Sequence, residues 1–194
     1  DTRSVAELDL SDLNGTNGFI INGIDSFDYS GHSVSSAGDV NGDGIDDLII
    51  GAYGADPEGN SNAGESYVVY GSDTRSVAEL DLSDLNGTNG FTINGIDAGD
   101  QSGRSVSSAG DVNGDGIDDI IIGAIWADPD DKSDAGESYV VFGSGTRSAS
   151  ELDLSDLNGT NGFIINGIDA GDYSGTSVSS AGDVNGDGID DIII

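Results

Sequence analysis

The strongest constraint on this chain is that it repeats itself every 72 residues. The segment Gly38-Asp39-Val40-Asn41-Gly42-Asp43-Gly44-Ile45-Asp46-Asp47 returns at Gly110–Asp119 and again at Gly182–Asp191, offset by 72 positions each time. The run Leu8–Phe19 follows the same rule, recurring from Leu80 and from Leu152. Only thirteen positions differ between residues 1–72 and 73–144. The 194 residues therefore read as one segment of three repeats, 1–72, 73–144 and a shortened 145–194. Near-identity at a fixed period means one supersecondary unit stacked against copies of itself.

Within a repeat the pattern predicts four strands. Ser33–Val40 alternates loosely, and Asp47–Gly51 is a continuous apolar run of the kind that is buried on both faces. Glu65–Tyr70 is rich in Val and Tyr, which suit a pleated surface. Phe19–Ile24 is the fourth strand, and a short extended piece, Glu7–Leu10, precedes it. Gly, Asn, Asp and Ser clusters mark the turns between them, and nothing reads as a sustained helix. Four short strands per repeat with Gly-rich turns predict an all-β fold of propeller blades, each an antiparallel sheet. A β-solenoid would repeat at a shorter period.

Thirty-seven acidic residues face five basic ones, a formal net charge of -32. Such charge would suit a disordered chain, but β-branched runs such as Leu48-Ile49-Ile50 supply a core. The charge excludes nucleic acid and anionic membrane surfaces as partners and favours cations. No apolar run approaches the length of a membrane span. Without cysteine there is no disulfide and no thiolate metal site. Asp1 in place of Met points to a mature product or an excised piece.

The acidic segment has the pattern of a cation loop. Asp39, Asn41, Asp43 and Asp47 stand at relative positions 1, 3, 5 and 9, with Gly44 at position 6. Calcium takes six to eight hard oxygens, and alternate side chains of a tight loop can converge on it once a Gly allows the sharp turn. The carbonyl of Ile45 would add one more oxygen. Where a helix–loop–helix calcium hand needs Glu at position 12, this chain has Ile50, so the flanking elements are strands. The set recurs as Asp111, Asn113, Asp115, Ile117 and Asp119, and as Asp183, Asn185, Asp187, Ile189 and Asp191, predicting one calcium per repeat and three per chain. Zinc or copper would want His or Cys, and there is one His. The bland alternative, a hairpin turn built on Asp-Gly, does not account for three full copies.

These residues resemble the FG-GAP repeat, the blade unit of integrin alpha-subunit propellers and of many bacterial surface proteins. Ser30-Gly31 leads into the loop and Gly51-Ala52-Tyr53 follows it, with Ser102-Gly103 and Gly123-Ala124-Ile125 in the second copy and Ser174-Gly175 in the third. Ser stands where the family has Phe, and Tyr or Ile where it has Pro; the acidic loop matches in all three copies. The resemblance implies a calcium-stabilised propeller, extracellular or on the cell surface, with an adhesive or protein-interaction role.

Three blades cannot close a ring. In the family's blade order, Phe19–Ile24 is an outer strand without its blade, while Ser177–Val184 and Asp191–Ile194 are inner strands without an outer partner. Head-to-tail self-association, with two chains giving about six blades, competes with membership of a longer propeller. His32 has no partnered nucleophile in the sequence, so no active site is expected. Tyr53 and Trp126 lie in the most variable loop and are candidates for stacking on a sugar, which makes a lectin the alternative function; packing against a neighbouring blade is the simpler role for both. The Asn-Gly-Thr triplets at Asn14, Asn86 and Asn158 read as turns rather than glycosylation sites.

Overall fold

A computed structural model describes residues 7–74 and 77–194. Among these residues the regular elements are thirteen strands and five single 3-10 turns. In chain order the strands are β1 (Ile20–Asn22), β2 (Ser33–Gly38), β3 (Asp47–Ala52), β4 (Glu65–Val69), β5 (Glu79–Asp81), β6 (Gly90–Asn94), β7 (Ser105–Gly110), β8 (Asp119–Ala124), β9 (Glu137–Val141), β10 (Glu151–Asp153), β11 (Gly162–Asn166), β12 (Ser179–Gly182) and β13 (Asp191–Ile193).

The strands assemble as propeller blades. The first blade runs β2-β3-β4-β6 from inside to outside, each neighbour antiparallel. The second runs β7-β8-β9-β11. The pair β12-β13 is the inner half of a third blade, and β1, at the repeat position of β6 and β11, pairs with β5 alone among the described residues. Inner strands stand side by side, β2 against β7 and β7 against β12.

One element exceeds the four-strand expectation. β10 adds to the first blade as a fifth strand, parallel to β6, with Leu152 opposite Ile93. β5 lies on β1 in the same way, with Leu80 opposite Ile21. The chain leaving one blade thus crosses the outer edge of the blade before it, which covers edge amides that would otherwise be free to pair. Asn94 Nδ2 donates to Asp153 Oδ1 at 2.9 Å across this seam. In the first repeat residues 7–9 form no strand.

The core lies between blades. Ile49, Val68, Phe91 and Ile93 project from the face of the first blade onto Ile122, Ala124, Tyr139 and Leu154 of the second. The opposite face of the first blade, with Ile50, Tyr67, Val69 and Leu82, packs under Ile21 and Leu80 from β1 and β5. This two-sided burial explains why β3 and β8 are unbroken apolar runs rather than alternating ones. Each such side chain stabilises the fold by about 1.5–3 kcal/mol.

Candidate metal-binding loops and the blade junctions

Each acidic loop is the turn of an inner hairpin: β2 to β3, β7 to β8, β12 to β13. A β-bulge precedes every loop, at Ser36/Gly38, Ser108/Gly110 and Ser180/Gly182. The bulge turns the strand end, and Gly at position 6 reverses the backbone with φ of +86, +87 and +90 at Gly44, Gly116 and Gly188.

Hydrogen bonds draw the side chains into the loop. Asp43 N–H donates to Asp39 Oδ1 at 3.0 Å and to Asn41 Oδ1 at 2.8 Å. Gly44 N–H donates to Asp39 Oδ2 at 2.7 Å, and Ile45 N–H to Asp43 Oδ1 at 2.9 Å. The second loop repeats these contacts at Asp111, Asn113 and Asp115, the third at Asp183, Asn185 and Asp187. The four amide contacts around Asp183 hold its carboxyl below the usual range, that of Gly188 most strongly.

Asp47 plays a part beyond the loop. It is buried, and its two oxygens accept from Val40 N–H at 3.0 Å and Gly71 N–H at 2.7 Å, tying the hairpin to the end of β4. Asp119 does the same with Val112 and Gly143. Burial pushes both carboxyls up to about 6, opposed by those amides and helped by the nearby loop carboxylates. Asp191 accepts from Val184 at 2.9 Å and from Asn185 Nδ2 at 3.3 Å. Among the described residues no three His, Cys, Asp or Glu side chains are gathered into a ready cage; the loop carboxylates lie against loop amides. The donor set nevertheless fits calcium. It consists of hard oxygens on one short loop, and each carboxylate oxygen that accepts one amide keeps a further lone pair.

The other singled-out residues sit at the opposite rim of the blades. Tyr53 stacks on Tyr29 with ring centres 5.0 Å apart, His32 meets its ring edge-on, and the Arg104 guanidinium of the second blade lies 5.0 Å from it. Trp126 packs edge-to-face on Tyr173 of the third blade and donates its indole N–H to Gln101. Tyr53 and Trp126 therefore bridge adjacent blades. Asn14, Asn86 and Asn158 each accept from the Thr two residues on, as turn residues do.

Sequence reasoning missed a second acidic group at this rim. Asp100 is buried and pushed up to about 7, by burial first and then by Asp97, Glu137 and Asp128. These residues are spread over some forty positions of sequence, so no local motif announces them.

The FG-GAP repeat model matches residues 30–69 and 102–141. These spans run from the Ser-Gly pair before each inner strand to the end of the third strand, and enclose one acidic loop each. The chain is 33% identical to a phosphatidylinositol-glycan-specific phospholipase D of Dictyostelium discoideum over 96% of its own length and 20% of that protein's. It is 34% identical to the Bos taurus enzyme of the same name over 61% of its length and 14% of the enzyme's. Integrin alpha-PS2 of Drosophila melanogaster is 31% identical over 72% of the chain and 10% of the integrin. The chain thus spans a fifth or less of the length of these relatives. No helix among the described residues is long and apolar enough to cross a membrane. Two of its repeats are FG-GAP repeats, and with blade-forming sheets and integrin alpha subunits among its relatives this is an FG-GAP repeat β-propeller protein.

Proposed function

We propose that the chain is a calcium-held segment of an extracellular propeller, a non-catalytic module for adhesion or protein interaction. One observation carries this reading: the same loop, three times over, forms the turn of every inner hairpin with its carboxylate and amide oxygens turned inward. Asp39, Asn41, Asp43, Asp47 and the Ile45 carbonyl would hold one calcium, and their counterparts two more. The cation would offset the mutual repulsion of each loop's carboxylates. Integrin and phospholipase relatives support a place outside the cell. The enzyme name belongs to relatives several times longer than the matched stretch, and the one His here serves as a ring contact to Tyr53.

The test is a thermal melt in millimolar calcium and again in chelator, with calorimetric titration for stoichiometry. Calcium at a hundred times its dissociation constant stabilises by about 2.7 kcal/mol per site. Three sites together would be comparable to a domain's whole net stability of about 5–15 kcal/mol. A melting temperature indifferent to chelator would refute the reading.

A lectin reading draws on Trp126, more than a third exposed at the rim that also carries exposed Tyr29 and Tyr173. Binding on a glycan array that disappears in Trp126→Ala would favour it.

A further inference from the structure

Asp118 stands one position before Asp119 in the second loop, yet its side chain serves the first. Its Oδ2 accepts from Asp39 N–H at 2.9 Å, and its own N–H donates to the Asp39 carbonyl at 3.3 Å. Asp190 grips Asp111 in the same two ways, at 3.1 and 3.2 Å. The opening residue of a loop is thus held through both backbone groups by the following blade. Gly38 and Gly110 leave the space: a Cβ on either would lie 2.3 or 2.1 Å from the incoming carboxylate oxygen. Asp46, at the same loop position, is exposed.

The three loops have one sequence but three settings. The first also receives Ser144 N–H on its Val40 carbonyl at 2.8 Å, and Gly145 packs against the Asn41 carbonyl. The second has the Asp190 grip. The third has neither among the described residues. Burial follows the same order: Val40 is 3% exposed, Val112 half-buried and Val184 71% exposed.

We propose that Asp118 and Asp190 are positioning residues that couple calcium binding in one blade to docking of the next, so that three identical loops bind with graded affinity, the first tightest and the third weakest. The inference rests on reading the loops as calcium sites. A carboxylate delivered to the start of the loop adds negative potential at the cation's position and fixes the backbone that carries Asp39. In return, a cation relieves the crowding of Asp118 against the loop's own carboxylates, so binding strengthens the junction. By linkage the two effects are equal in free energy.

The test is calorimetric titration of the whole chain with calcium, as wild type and as Asp118→Ala, Asp190→Ala and Asp46→Ala. The expected result is three distinguishable sites in the wild type. Asp118→Ala should weaken the tightest site by roughly tenfold, the scale of one hydrogen bond to a carboxylate. Titrated dilute enough for the chain to be monomeric, Asp46→Ala should leave all three unchanged, which separates the grip from any effect on the residue's own loop. Asp190→Ala provides the same test at a junction with only two strands beyond it, should the Asp118 variant fail to fold. Three equal, independent sites in the wild type, or equal losses in Asp46→Ala and Asp118→Ala, would overturn the coupling while leaving the calcium reading intact. No binding at all would overturn the calcium reading itself.

Discussion

Gly51 and Gly103 meet backbone to backbone where the first blade joins the second: a Cβ on Gly51 would stand 1.9 Å from the Gly103 carbonyl oxygen. Gly123 and Gly175 repeat the contact at 2.0 Å. These are the Gly of the Gly-Ala pair and the Gly of the Ser-Gly pair, so the two weakest sequence signals in the repeat are two sides of one contact. Because backbone opposes backbone, no rotamer change can make room. Gly51→Ala should destabilise by about 3 kcal/mol or more, the upper range for overpacking. Gly103→Ala and Gly31→Ala separate space from conformation, since both residues have left-handed φ, +82 and +85. A Cβ on Gly103 meets the Glu65 carbonyl at 2.5 Å, whereas one on Gly31 meets nothing within 4 Å. Denaturant melts should show about 1–2 kcal/mol lost at Gly31, from conformation alone, and a clearly larger loss at Gly103.

Asp100 predicts an unusual pH response. Its carboxyl titrates near 7 in the folded chain and near 3.9 when unfolded. Between those values the folded state holds a proton that the unfolded state has lost. Its contribution to stability is therefore full below about pH 4 and is lost as pH rises through 7. At 1.36 kcal/mol per unit, the swing for this group is at most about 4 kcal/mol. Melts at pH 5 and pH 8 in fixed calcium should show the wild type losing more stability on going to pH 8 than Asp100→Asn. Parallel responses in the two proteins would mean that Asp100 does not carry the effect.

Arg147 joins the third repeat to both earlier blades. Its guanidinium lies 4.7 Å from the centre of the Phe91 ring and donates to the Phe142 carbonyl at 3.1 Å. Lys would keep the charge but lose the flat stacking face. Arg147→Lys should cost about 1 kcal/mol in a denaturant melt, the scale of a cation–π contact. An unchanged midpoint would show that the stacking contributes nothing.

What the sequence makes legible here is what is local. Leu48-Ile49-Ile50 and Tyr67-Val68-Val69 declare strands because their neighbours in sequence are their neighbours in the pleat. The Asp39–Asp47 spacing declares a loop for the same reason. β5 and β10 were harder to place, being Glu-Leu-Asp triplets with a single apolar residue and a partner some 60 positions back. Asp118 reads as half of an Asp-Asp pair, and only the stacking of blades carries it to Asp39, 79 positions away. The same holds for Asp100: Asp97 is close in sequence, but Asp128 and Glu137 reach it only after β8 has turned back.

A single valine measures whether a blade has a neighbour before it. Val34 in β2, Val106 in β7 and Val178 just before β12 occupy one repeat position, and are 64%, 5% and 7% exposed. The second and third are covered by the preceding blade; the first has none among the described residues. Val184 marks the other end, exposed where its counterpart Val40 is buried. Over their inner strands, the two open faces carry the same residues as the covered junctions between blades. They are expected to take a further blade, and in a solution of this chain alone that blade comes from a second copy. Light scattering in millimolar calcium should then give at least twice the 19.5 kDa chain mass, and Val34→Asp, which places a charge where a neighbouring blade would pack, should return the monomer. A wild-type monomer at that mass would show that apolar burial at the open faces is too small to offset the entropy of association.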